Sequence, residues 1–387
     1  MVFLKKLIND RRFIFAVWIL LAVIAALKQY TKGSYNNYLI FKHVYVHAVE
    51  RLNLYLTYPD QYGDNNHYGP FFSLIIAPFA VLPDAIGTIL WQIANTVFLY
   101  FAIKQLPLTY RKVNAVYWII AHELLTALFS FQFNISIAAI IVLTFALIEK
   151  QKNFWAAMLI MLGTFVKLYG IVGLAFFFFV KNKWTFIASC VVWTLVFFVL
   201  PMLFFSPSYI LQCYQDWYQS LSEKQELNAS LTSMQDISLM GIVRRVTGDV
   251  HIPNLPFLAG GLVLFTIPYL RIKAHANLNF RLLYLASTLI FAVIFSNSSE
   301  SPTYIIAFTG VAVWFMVQDK PCNPWIVALF VFALLLTSFS PSDLFPKFVR
   351  ENYIRPYSLK ALPCVIVWLV ISYQLMFKKF DHVNPNT

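Results

Sequence analysis

The sequence predicts an all-α integral membrane protein, and three observations predict it. The 387 residues are 60% hydrophobic and only 12% charged, whereas a soluble domain is nearer half apolar and a quarter charged. Apolar runs of spanning length recur from one end to the other, unlike the short alternating segments of an outer-membrane barrel. Mean hydropathy is +0.67, which is more apolar surface than one soluble core can bury.

The first apolar run, 13–27, follows Lys5, Lys6, Arg11 and Arg12. No A-x-A cleavage pattern comes after it, so it reads as a retained signal anchor. Basic clusters fall at 5–12, 104–112, 150–152, 181–183, 271–281, Lys320 and 378–379. All share one side if helices run at about 13–28, 85–104, 113–130, 134–148, 154–167, 168–180, 185–204, 254–270, 281–296, 302–318, 323–339 and 361–377. That gives about twelve transmembrane helices, and the positive-inside rule makes the shared side the cytoplasm, with both termini there. The +12 charge is then a topology signal, and no nucleic-acid partner is expected. Residues 1–387 read as one polytopic domain of the cytoplasmic membrane.

One segment, 70–82, is apolar but about two-thirds of spanning length. Counted as a crossing, it would invert every later loop. It is expected as a half-helix or interfacial segment on the outer side, packed against 85–104. The larger loops, about 29–69 and about 205–252, then lie outside, and loops on a helical scaffold carry chemistry. The cytoplasmic loops are short, and there is no Walker or GxGxxG pattern. Both facts argue against an ATP-driven pump and against direct use of a nucleotide-sugar. The four cysteines show no CxxC spacing and suggest neither a zinc site nor a disulfide framework.

Several stretches can carry chemistry. In YNNYLIFKHVYVH, 35–47, helical spacing puts Tyr38, Phe41, Tyr45, Val49 and Leu52 on one stripe and Asn36, His43, His47 and Glu50 on the other face. This predicts an interfacial helix with its aromatic side in lipid. The two histidines and Glu50 have metal-ligand spacing, although a solvated polar face is the plainer reading. In YPDQYGDNNHYGP, 58–70, Asp60 and Asp64 sit in a turn-rich loop. Desolvation near lipid would suit either to be a general base; ordinary Asx-turn chemistry is the plainer role. In SFQFNIS, 130–136, Gln132 and Asn134 can hold a sugar hydroxyl or phosphate, or Asn134 can cap a helix. In GTFVKLYGIVG, 163–173, Lys167 stands among apolar residues, where a cation is costly unless paired. A lipid-linked phosphate is a natural partner.

FSNSSESPTYIIA, 295–307, carries Glu300 and Tyr304 at the start of a helix, where a glutamate also suits the helix dipole. His122 and Glu123 lie within a span and read as a structural pair between helices. In the loop 205–252, Tyr214, Asp216, Trp217 and Tyr218 have the chemistry of a carbohydrate surface, or of an interfacial aromatic belt. Arg244 and Arg245 can meet lipid headgroups or a phosphate.

Together and in this order these stretches resemble glycosyltransferase family 87, polyprenyl-phosphate-sugar-dependent membrane enzymes of the GT-C fold. The motifs are NNYLIF…LNLY, HYGPFFSLIIAPFAVLPDAIGTILW at 67–91, QFNISIAAIIVLTFALIEKQKNFWAAMLIMLGTFVKLYG at 132–170 and SESPTYIIAFTG at 299–310. The resemblance covers about 35–310 and implies a GT-C bundle with interfacial helices in the first outer loop. It implies inverting transfer of a sugar, a mannose-like hexose or pentose, from a polyprenyl-phosphate donor to a hydroxyl of a glycolipid or glycan on the outer face. No cofactor and no metal are implied. The family's early acid aligns with Asn37, an amide that cannot take a proton at neutral pH. The base then falls to Asp64 first and Asp60 second. Lys167 is expected at the donor phosphate, with Gln132, Asn134, Glu300, Tyr304, Asn37 and Arg244 contacting substrate. Where the family often carries a histidine, this chain has Glu300 and Tyr304. Two rivals remain: a flippase or transporter of lipid-linked precursors, although no internal repeat is evident, and a non-catalytic membrane subunit, which Asn37 keeps open.

Overall fold

The computed structural model describes residues 6–228, 230–233 and 235–380. Lys5 of the first basic cluster and the extreme termini, both expected in the cytoplasm, lie outside the described residues. Every regular element among the described residues is helical. Each of the twelve expected segments contains helix, but among the described residues only Arg11–Thr31, Asp84–Lys104, Lys183–Phe204 and Leu359–Phe377 are long and apolar enough to cross a membrane. Seven shorter apolar helices accompany them. The chain divides into two compact units, Met1–Lys224 and Gln225–Thr387.

The first unit opens with α1 (Arg11–Thr31), which Asp10 caps by accepting the Arg12 amide at 2.8 Å. Next come α2 (Asn36–Glu50), α3 (Phe72–Ala80), α4 (Asp84–Lys104) and α5 (Tyr110–Phe129). Trp18 of α1 meets the rings of Tyr100 and Tyr117 edge-on, and those two rings stack at 4.5 Å. This aromatic core ties α1, α4 and α5 together.

The segment at 70–82 is helical over nine residues only, about 14 Å at ~1.5 Å per residue. It packs on α4 as expected and also on α2. That second contact corrects the expectation for α2. Tyr38 and Phe41 are buried in protein, with Phe41 edge-on to Phe72 at 5.0 Å, while Val49 and Leu52 are exposed. Tyr38 and Phe41 of the stripe thus meet α3 rather than lipid. A stripe selects an apolar neighbour without distinguishing protein from lipid.

Helix α6 (Asn134–Glu149) is apolar all round and almost wholly buried, as a central helix must be. Helix α7 (Asn153–Val166) and the 3-10 helix Leu168–Phe179 form a tight hairpin. Gly170 makes it possible. A Cβ there would lie 2.3 Å from the carbonyl carbon of Gly163 and 2.4 Å from the amide of Thr164. The unit closes with α8 (Lys183–Phe204) and α9 (Pro207–Asn228), whose last turn holds the unit boundary. The large loop expected at 205–252 is therefore mostly helical.

The second unit contains α10 (Leu239–Thr247), α11 (Leu255–Thr266), α12 (Leu278–Ile294), α13 (Tyr304–Met316), α14 (Pro324–Ala333) and α15 (Leu362–Phe377). Helices α12 and α13 are buried along nearly their whole length. Ser238 caps α10 by accepting the Gly241 amide at 3.0 Å. Between α14 and α15 the chain makes short π and 3-10 turns through 334–361.

Candidate active site

Lys167 ends α7 in an extended conformation, at the apex of the hairpin. Its Nζ donates to Asn134 Oδ1 at 2.7 Å, and Asn134 Nδ2 donates on to Gln132 Oε1. Asn134 is completely buried and does not cap α6, although it is the first residue of that helix. Tyr68 and Tyr169 flank the ammonium, their ring centres 5.4 and 5.3 Å from Nζ. Two ring faces and an amide oxygen are favourable neighbours for a cation. The N-terminus of α6 adds its positive end. The structure thus brings Lys167, Asn134 and Gln132 together, an arrangement suited to an anion.

The turn that carries the two amides is itself held. Phe131 adopts a left-handed conformation with φ +54°, which is strained for a bulky residue. Its carbonyl accepts Trp91 Nε1 at 3.0 Å, and the Ser130 carbonyl accepts Asn37 Nδ2 at 2.7 Å. Asn37 therefore supports the turn.

A second loop is fixed against the hairpin. The Gly69 amide donates to Val166 O at 3.0 Å, and a Cβ on Gly69 would stand 2.1 Å from Phe165 O. Trp217 Nε1 donates to His67 O at 3.0 Å, and His67 Nδ1 shares a hydrogen bond with Ser220 Oγ at 2.9 Å. Burial pushes the His67 imidazole down to about 3, and the charges of Lys224 and Lys167 push the same way. His67 is thus neutral at pH 7, and the site carries a cationic field. A depressed native value means that the unfolded chain binds the extra proton between about pH 3 and the ordinary value near 6.5. Stability from this group is then present above pH 6.5 and lost as pH falls toward 3. The melting temperature of His67→Gln protein should fall less steeply than that of the wild type between pH 6.5 and 4. Parallel pH profiles would contradict the assignment.

The other expected residues are dispersed. Asp60 and Asp64 are exposed, so the protein does not bury them as the desolvation argument required. Asp64 Oδ1 accepts the Asn65 amide at 2.7 Å, which is turn chemistry. His43 bonds the Leu39 carbonyl and His47 bonds Gln61. Among the described residues no group of three or more His, Cys, Asp or Glu is arranged to hold a metal. The aromatic residues of α9, read as either a carbohydrate surface or an interfacial belt, are mostly packed in protein. Trp217 is buried beside Gly69, Tyr214 stacks on Phe198 at 4.8 Å, and only Tyr218 shows an open face.

In the second unit Glu300 forms a capping box with Thr303 at the start of the helical segment that leads into α13, and it also lines a cavity of about 200 Å³. Tyr304 is buried below, donating to Ile237 O at 2.8 Å. Arg244 differs from expectation. It is 3% exposed, paired with Asp236 at 2.5 Å, and bonded to Ile252 O and Asn254. Its neighbour Arg245 lines the cavity instead. His67, Tyr68 and Tyr169 escaped the sequence reading. The available signal was an aromatic beside glycine in both HYGP and KLYG.

Against known families, the model of Glycosyltransferase family 87 matches residues 66–296, more than half of the chain. The chain belongs to glycosyltransferase family 87. Its apolar helices make it a membrane glycosyltransferase. The family match covers His67, Tyr68, Gln132, Asn134 and Lys167; Asp60 and Asp64 precede it, and Glu300 and Tyr304 follow it. No curated protein matches the chain.

Proposed function

We propose that the protein transfers a sugar, a mannose-like hexose or pentose, from a polyprenyl-phosphate donor to a hydroxyl of a glycolipid or glycan. The reaction inverts the anomeric centre and takes place on the outer face of the cytoplasmic membrane, without cofactor or metal. The observation that supports this reading is Lys167, held between two tyrosine rings on an amide pair at the start of α6.

The acceptor hydroxyl loses its proton to a carboxylate, and its oxygen attacks the anomeric carbon opposite the phosphate. The carbon–phosphate-oxygen bond breaks, with its electron pair leaving on the phosphate. The donor diester carries one negative charge and the departing monoester gains a second. A fixed cation at Lys167 therefore binds the transition state better than the ground state. Gln132 and Asn134 orient the phosphate or a sugar hydroxyl. Asn37 acts through the turn it supports.

Asp64 is the proposed base, with Asp60 second, because both lie on the loop that delivers Tyr68 to Lys167. Asp64→Asn is expected to lower kcat by about 10²–10⁴ and Asp60→Asn by less. Transfer measured in proteoliposomes with a polyprenyl-phosphate sugar checks this. Full rates in both variants would place the base elsewhere.

A further inference from the structure

One face of α9 holds both ends of the loop that delivers Tyr68 to Lys167. At the first end, Tyr209 Oη donates to Leu52 O at 2.7 Å, and Asp216 Oδ2 accepts Asn53 Nδ2 at 2.9 Å. At the second end, Trp217 bonds His67 O and Ser220 Oγ donates to Asn66 O at 3.3 Å. Tyr209, Asp216, Trp217 and Ser220 follow the i, i+7, i+8, i+11 spacing of a single helical face. The stretch between the two ends carries the exposed Asp60 and Asp64.

From Asp216 a chain of bonds runs toward the ammonium. Its other oxygen, Oδ1, accepts Gln212 Nε2 at 2.8 Å from one turn back, so the carboxylate is fixed from two sides. Asn53 turns the chain inward, its Oδ1 accepting the Tyr55 amide at 2.8 Å. Tyr55 is buried, and its Oη donates to the Tyr68 carbonyl at 3.0 Å. The Tyr68 amide donates to Asn66 Oδ1 at 2.9 Å. Residue 68 is thus bonded at both its backbone groups, and the Gly69 amide that follows is bonded to Val166 O in the hairpin. A fixed backbone restricts the rotamers open to the side chain. The ring that leaves this backbone lies 5.4 Å from Lys167 Nζ. Apolar packing alone lets a ring slide, and a misplacement of about 1 Å can cost ~10²-fold in rate.

We propose that Asp216, Asn53 and Tyr55 are positioning residues for sugar transfer. They act through the Tyr68 carbonyl and set the Tyr68 ring over the Lys167 ammonium. The proposal rests on the reading of Lys167 as the partner of the departing phosphate.

Full-length protein in lipid nanodiscs, with a fluorotyrosine introduced at Tyr68, tests it by fluorine NMR beside steady-state transfer from a polyprenyl-phosphate sugar. Lys167→Gln should shift the fluorine signal, because it removes the cation beside the ring. Asp216→Ala and Tyr55→Phe should each shift it too, and each should lower kcat about tenfold with KM little changed. Asp216→Asn should keep signal and rate near wild type. Its amide oxygen can still accept Asn53 Nδ2, while the exposed Gln212 turns its own oxygen to the new amide. Gln219→Ala, where an exposed side chain bonds Glu223, should change neither. An unmoved signal in either Asp216→Ala or Tyr55→Phe would overturn the proposal. An Asp216→Asn variant as slow as Asp216→Ala would do the same, since the charge itself would then be acting. So would shifted signals with unchanged kcat in a protein that Lys167→Ala does slow. Should Asp216→Ala fail to fold, Tyr55→Phe, which removes one oxygen atom, still decides. Full kcat in Lys167→Ala overturns the phosphate reading instead, and the fluorine signals then report on the chain of bonds without it.

Discussion

Lys167→Ala is expected to lower kcat/KM for sugar transfer by about 10²–10³, the loss seen when one preorganised charge or donor is removed from a site of developing negative charge. The fall should appear in kcat, because the phosphate gains its second charge only as the bond to the sugar breaks. Lys167→Arg should recover part of the rate. Its guanidinium keeps the charge, but a planar fork fits poorly where a compact ammonium sits between Tyr68 and Tyr169 and on Asn134. Melting temperature should change less than rate, since the hairpin around Lys167 is closed by backbone contacts. Steady-state transfer with purified protein in lipid measures the effect; an unchanged kcat in Lys167→Ala would remove the phosphate role.

Gly170→Ala should act in the opposite sense, on structure first. The added methyl meets backbone atoms of Gly163 and Thr164 at 2.3–2.5 Å. Backbone cannot rotate aside as a side chain can, so the two arms must separate. Overpacking of this kind costs about 1–3 kcal/mol, and it moves the apex three residues away that carries Lys167. Thermal unfolding and transfer should therefore fall together. Gly260→Ala is the control, because nothing stands within 4 Å of its new methyl. Equal melting temperatures for Gly170→Ala and Gly260→Ala would show that the hairpin is not closed as described.

Much of this was legible in the sequence. Apolar length and basic loops located the helices, and the cost of a cation among apolar residues singled out Lys167. Family motifs put it near Gln132 and Asn134, and the structure joins all three. What could not be read is which distant residue completes a contact. Nothing local to HYGP says that Tyr68 stands over a lysine 99 residues later. Nor does the stripe of α2 say that Tyr38 and Phe41 face α3, since lipid and protein are equally apolar partners. Arg244 and Arg245 show the same limit at finer scale. They are neighbours about 100° apart on a helix, so only the fold decides that Arg244 meets Asp236 and Arg245 the cavity. The acids at 60 and 64 were identified correctly as loop residues, but their desolvation was inferred from a nearby membrane and the protein fold does not supply it.

The 3-10 form of Leu168–Phe179 sets a depth. A 3-10 helix rises ~2.0 Å per residue against ~1.5 Å for an α-helix. The twelve-residue arm therefore extends about 24 Å, close to the roughly 21 Å of the fourteen-residue α7. Matched arms bring the basic loops 150–152 and 181–183 to one level. If those loops were anchored at one headgroup layer, as the proposed topology has it, a hairpin of this length would stop several ångströms short of the far side of a hydrocarbon layer ~30 Å thick. In that placement, which belongs to the proposed topology, the ammonium at its tip would be sunk below the opposite surface. A phosphate drawn down to it leaves most of its water behind, and the attraction between the two charges grows as it does so.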